Sequence, residues 1–285
     1  MEKKINLEKE YLDGVIELFI QGIENGPFKG FETKDMSSED VVSNNENKDI
    51  FRLAVDQAWL DVCRTFPNGD ADGKIRQHYG EKLREAFCDD EPINVYNLIF
   101  ADDSLSMLTV GQRQKIINMA LKYLFCCENF RKQKNKFENA HMPLDSFTLE
   151  WFKRIVAKDI EDYPEGKNKL TIGMISNWSA IKGDKDSLTY VDEEKENKVF
   201  YSYIFYQENI KKYIETNIGK EWSPLEIEFF VWPETQLLLA TEAYIFEIDQ
   251  DAKRNEIRNN MSLTDKLDML KEKLSNRNRN VIWFD

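Results

Sequence analysis

One stretch limits what this chain can fold into more than any other: VGQRQKIINMALKYLFCC, residues 110–127. A helix turns by about 100° per residue, which gathers Gly111, Gln114, Lys115, Asn118 and Lys122 into one arc roughly 100° wide. Ile116, Ile117, Met119, Ala120, Leu121, Tyr123 and Leu124 fill the rest of the circle. A helix that is apolar on most sides is buried on most sides. The chain therefore has to wrap other elements around residues 111–130 while keeping one narrow polar slit. Gly111, with no side chain, lets something approach the start of this helix closely.

The remaining segments read as mostly helical. FRLAVDQAWLDVCRTF (51–66) repeats apolar residues at helical spacing, and KIRQHYGEKLREAFCDD and PINVYNLIFADD read as two shorter helices. In ADDSLSML, Asp103 or Ser104 is a candidate N-cap for the turn that follows. RKQKNKFENAH (131–141) reads as a basic connection, and Pro143 as the opening residue of a helix through DSFTLEWFKRIVAKD. The 6–24 patch is strand-like or helix-like. LTIGMISNWSAI reads as a short strand or the approach to a helix, and GDKDSLTYVDEEKENK (183–198) as a solvated acidic loop. Residues 199–217 are helical, with Tyr203, Tyr206, Ile210 and Ile214 on one face; 224–236 is a helix begun by Pro224 or a strand. SLTDKLDMLKEKLS (262–275) reads as a charged helix, and 33–50, 67–73 and 162–169 as loops and turns. The expected organisation is mostly α: a helical domain over 51–248, an N-terminal segment and polar loop over 1–50, and a charged helical tail over 249–285 packing on the domain.

Composition narrows the function classes. The chain has 285 residues, 41% hydrophobic and 12% aromatic, enough for a sizeable core. A net charge of -13 repels phosphate backbones and argues against a general nucleic-acid binder. The charge is uneven, however. Residues 110–160 hold ten Lys/Arg against five Asp/Glu, a balance of +5 that leaves -18 for the rest. Cys63, Cys88, Cys126 and Cys127 match no zinc or iron–sulfur spacing and read as reduced thiols; with only His78 and His141 present, neither a metal centre nor another cofactor is expected. The acidic run Asp192, Glu193, Glu194, Glu196 lacks the oxygen spacing of a calcium loop. MEKKINLEKEYLDG is charged, with no apolar signal segment, and no run reaches the length of a membrane span. A soluble, cytoplasmic protein without a membrane partner is expected.

The lysine stripe and an aspartate thirty residues downstream, in HMPLDSFTLEWFKR (141–154), carry the candidate chemistry. The helix dipole, apolar flanks and the like charge of Lys122 all push the Lys115 amine towards its neutral, nucleophilic form. Such a lysine suits Schiff-base chemistry, with Asp145 to accept its proton or stabilise a developing cation. The same residues also read as a lysine that snorkels to water and an aspartate that caps a helix.

QKIINMALKYL and MPLDSFTLEWFKRI resemble the lysine helix and the Pro-hydrophobic-Asp turn of the helix–hairpin–helix DNA glycosylases, most nearly the divergent archaeal 8-oxoguanine branch. The resemblance covers about residues 100–158. It departs from the family's hairpin signature, because TVGQRQK keeps only Gly111. The resemblance implies a helix–hairpin–helix glycosylase-like fold, Lys115 as the Schiff-base lysine and Asp145 as the catalytic aspartate. It implies DNA as partner, with a damaged or modified base flipped into a pocket for repair or for attack on foreign DNA. Gly111, Gln114, Asn118 and Lys122 would then contact the substrate; Arg113, Arg131, Lys132, Lys134 and Lys136 would face the DNA backbone. Trp178, Trp151 or Phe147 would stack on the base. The rival expectation is a non-catalytic protein on the same scaffold whose acidic surface engages a protein partner, as in phage–host conflict.

Overall fold

The structure is a computed structural model that describes residues 7, 9–25, 49–62, 73–88, 90–100, 108–160 and 176–254. It is mostly helical: α1 (Lys9–Asn25), α2 (Ile50–Val62), α3 (Lys74–Cys88), α4 (Val95–Phe100), α5 (Val110–Cys126), α6 (Glu128–Arg131), α7 (Ser146–Arg154), α8 (Tyr203–Asn217) and α9 (Pro224–Arg254). Among the described residues, no helix is long and apolar enough to cross a membrane. The chain divides into two compact units, 1–229 and 230–285, with the division inside α9. The described part of the second unit is the remainder of α9. It contains Pro233, which has no N–H to give to the carbonyl four residues earlier. The expected loop at 33–48, the turns at 67–72 and 162–169, Asp103 and Ser104, Cys63 and the charged helix at 262–275 lie outside the described residues.

In the first unit, α5 is the central helix, buried at nearly every position from Val110 to Cys126. α2 packs along it, and α3 crosses α2 closely because Gly80 lies against the Arg52 backbone. A run of phenylalanines fastens this side. Phe51, Phe87 and Phe130 meet pairwise at 5.3–5.5 Å between ring centroids, and Phe137 continues the run to Phe125 of α5 at 5.0 Å. Such pairs contribute about 1 kcal/mol each beyond their buried area. On the other side Phe152 of α7 sits edge-on against Tyr206 of α8.

Three helix starts follow from local chemistry. Thr109 caps α5 in a capping box with Gln112, Asp145 caps α7 with Thr148, and Ser223 with Glu226 makes the same reciprocal pattern before Pro224 at the start of α9. Thr109 as the α5 cap was missed by the sequence reading, whose own cap candidates, Asp103 and Ser104, lie outside the described residues. The second start corrects the sequence reading, since α7 begins after Asp145 and Pro143 lies in the preceding loop. The expected acidic loop at 183–198 is also corrected. Thr189–Asp192 (β1) and Lys198–Tyr201 (β2) form an antiparallel hairpin with Tyr190 opposite Phe200. Glu196 and Asn197 turn it with positive φ. Three of its acids meet lysines: Asp192 pairs with Lys182 and Lys195, Glu194 lies 3.9 Å from Lys182, and Glu196 pairs with Lys198.

Candidate active site

Lys115 Nζ lies 2.9 Å from Asp145 Oδ2. The two residues come from α5 and the loop before α7, and both are buried, at 7% and 8% exposure. Asp145 divides its two oxygens. Oδ1 accepts from the backbone N–H groups of Phe147 and Thr148 and so caps α7, while Oδ2 faces Lys115. Lys115 stands in the second turn of α5, beyond the reach of the dipole field that a first-turn position would feel. Lys122, two turns further on, has its own partner. It pairs with Glu228 and lies over the rings of Phe19 at 4.1 Å and Phe229 at 4.7 Å. Burial pushes the Glu228 carboxyl up, against the pull of Lys122. The like-charge stripe expected from sequence is thus two ion pairs. They differ in access: the Lys115 side chain keeps 9% exposure and that of Lys122 keeps 3%.

The loop 141–145 is held at every residue. His141 Nδ1 and the Tyr203 hydroxyl share a hydrogen bond of 2.8 Å whose donor is set by the histidine tautomer, and the hydroxyl also accepts from Asn118 Nδ2 at 2.9 Å. Burial pushes the His141 imidazole down to about 3, with Lys211 adding to it, so the ring stays neutral. Gln207 of α8 accepts from the Met142 N–H and donates to the Met142 carbonyl. Thr148 Oγ1 donates to the Pro143 carbonyl. Gln114 of α5 accepts from the Leu144 N–H at 3.0 Å and donates to the Leu144 carbonyl at 2.8 Å. Asp145 closes the series on Lys115.

The residues expected to touch substrate thus have internal partners. Gly111 does permit a close approach, but what approaches is the chain itself. The Gly111 N–H donates to the Ile181 carbonyl at 2.9 Å, and a Cβ there would collide with the Trp178 carbonyl oxygen. Thr109 Oγ1 donates to the Ser179 carbonyl at 2.6 Å, so residues 178–181 lie across the first turn of α5. Gln114 holds Leu144 and Asn118. Asn118 Oδ1 has no hydrogen-bond partner among the described residues, which leaves a buried acceptor one turn beyond Lys115.

The residues expected to face DNA scatter. Arg113 donates to the carbonyls of Leu108 and Ile99. Lys136, 3% exposed, donates to the Ala86 carbonyl in the last turn of α3 and to the Glu91 carbonyl beyond it. Arg131 lies 3.7 Å from Asp13, and Lys132 pairs with Glu128. Lys134 is exposed. Trp151 is fully buried against Tyr213, while Phe147 and Trp178 are half-buried. Burial pushes the Cys126 and Cys127 thiols up, which keeps both protonated. Among the described residues no group of His, Cys, Asp and Glu is placed to hold a metal ion.

Gln207 and Glu228 escaped the sequence reading, and Tyr203 was read only as part of a helical face, not of the site. Gln207 had a signal, a polar residue on the buried face shared by Tyr203, Tyr206, Ile210 and Ile214. No family model matches the chain, and no curated protein and no solved structure matches it.

Proposed function

We propose that the protein is a DNA glycosylase/lyase acting through Lys115, on a helix–hairpin–helix-like scaffold. The observation that carries this reading is the 2.9 Å contact between Lys115 Nζ and Asp145 Oδ2, because it joins the two residues singled out for that chemistry across thirty positions of sequence. The geometry suits the reaction. A hydrogen bond already in place lets Asp145 Oδ2 take a proton from the ammonium. The neutral amine then attacks C1′ of a flipped nucleotide, and the base leaves with the bonding electron pair and gains a proton. Sugar-ring opening breaks the C1′–O4′ bond, with a proton passing from the attached nitrogen to O4′, and gives the iminium. Loss of a proton from C2′ to a base then forms the C2′–C3′ double bond as the 3′ C–O bond breaks and the phosphate leaves with its electron pair. Asp145, anionic again once its proton is passed on, lies beside the developing positive charge. Asn118 Oδ1 is the acceptor that a sugar hydroxyl or base N–H entering beside Lys115 would meet.

The test is borohydride reduction in the presence of duplexes that carry an abasic site, 8-oxoguanine, uracil or alkylated bases. A covalent protein–DNA product is expected on at least one of them, absent with Lys115→Ala and slower with Asp145→Asn. No product on any duplex would sink the enzymatic reading.

A second reading is favoured by one observation: both Asp145 oxygens already have protein donors, so the pair is self-sufficient as a structural link. On that reading the scaffold is non-catalytic and its acidic surface engages a protein partner. The same experiment separates the two.

A further inference from the structure

We infer that Gln114 is a positioning residue for the Lys115–Asp145 pair; its role in catalysis rests on the proposed lysine chemistry, while its geometric role stands on the hydrogen bonds alone. Two adjacent residues of α5 grip two adjacent residues of the loop. Gln114 makes both amide hydrogen bonds to Leu144, at 2.8 and 3.0 Å, and Lys115 meets Asp145 at 2.9 Å. An ammonium on a four-carbon stem cannot fix the direction of its partner, because the stem is flexible and the donors rotate. A side-chain amide bonded at both ends to one residue fixes that residue in distance and rotation together. Asp145 is the next residue along, so its Cα and the aim of its carboxylate follow from the Leu144 backbone.

The site holds Gln114 in turn. The side chain is fully buried, and its Oε1 also accepts from Asn118 Nδ2, so it has one rotation that satisfies all its partners. Gln207 grips Met142 in the same two-bond manner, but from α8 and three residues before Asp145. It is an internal control, chemically the same and further from the aspartate.

The test is a set of double-mutant cycles read by urea denaturation of the full chain. The coupling between Lys115→Met and Asp145→Asn is measured with Gln114 intact, then with Gln114→Met, then with Gln207→Met. If Gln114 aims the pair, Gln114→Met lowers the coupling factor about tenfold, and Gln207→Met leaves it unchanged. A residue that only packs the core would lower stability at all four corners alike and leave the coupling intact; that result overturns the inference. Should Gln114→Met not fold, Gln114→Glu keeps the size and the acceptor for the Leu144 N–H, and the same comparison is read with it. A second readout is the trapping rate on an abasic duplex. Gln114→Glu is expected to slow trapping at saturating DNA at least tenfold with half-saturation unchanged. Absence of trapping by the unaltered protein would remove the proposed activity, whereas the coupling result would still decide the positioning role.

Discussion

At the scale of the residue, Asp145 has two tasks that substitution can separate. Asparagine caps a helix about as well as aspartate, so Asp145→Asn preserves the start of α7 while leaving the buried Lys115 ammonium without its counter-charge. The expected loss is about 3 kcal/mol, the cost of breaking a buried pair from one side. Urea denaturation measures it, and a loss below about 1 kcal/mol would mean that Glu228, which also feels the Lys115 charge, or water replaces the lost counter-charge. His141 gives a pH dependence with a definite sign. Its folded pKa is depressed to about 3 by burial, beside the Tyr203 hydroxyl, the Tyr96 ring and the more distant Lys211. The contribution is therefore present above the ordinary value near 6.5 and is lost as pH falls towards 3. Between pH 6.5 and 4.5, stability should fall by about 2 kcal/mol, and His141→Gln should flatten that slope. The same side chains show what periodicity could reveal. Helical spacing placed Gln114, Lys115, Asn118 and Lys122 on one arc, and they do share it. Spacing alone could not say that Leu144, Tyr203 and Glu228 would fill it, because those partners lie 30 to 106 positions away.

At the scale of the element, the start of α5 is sealed by residues 178–181. Gly111→Ala would force the Trp178 carbonyl and its chain to move, and the expected cost is about 3 kcal/mol in thermal or urea unfolding. An unchanged midpoint would mean that 178–181 does not sit there in solution. Lys136 ties the last turn of α3 and the segment after it to the 134–137 turn. Lys136→Met should cost about 1–2 kcal/mol and leave any DNA affinity unaltered. α5 was legible because seventeen residues of strong periodicity outvote local noise. The hairpin was not. Its strands are four residues each, and the acids between them dominate the composition. The usable signal was smaller: TYV and VFY, two short β-forming runs on either side of a polar turn. The start of α7 was misplaced for a different reason. Proline suits a first turn, but the Asp145 carboxylate satisfies two N–H groups there and takes the cap.

At the scale of the molecule, the net charge of -13 and the scattered fate of the basic stretch limit how DNA would be held. Of five cations expected on phosphates, Arg113 and Lys136 donate to backbone carbonyls, which leaves three from that stretch. The logarithm of a duplex affinity should then fall with log salt at a slope no steeper than about -3, measured by fluorescence anisotropy. A slope near -6 would require a phosphate-binding surface elsewhere on the chain. A weak electrostatic hold is compatible with an enzyme that gains its specificity from a flipped base. Peptide mapping of the borohydride-reduced protein–DNA product tests Lys115 as the proposed nucleophile. The sugar-derived mass is expected on the peptide that contains Lys115. An adduct on another lysine or on an amino terminus, with Lys115 unmodified, would contradict it.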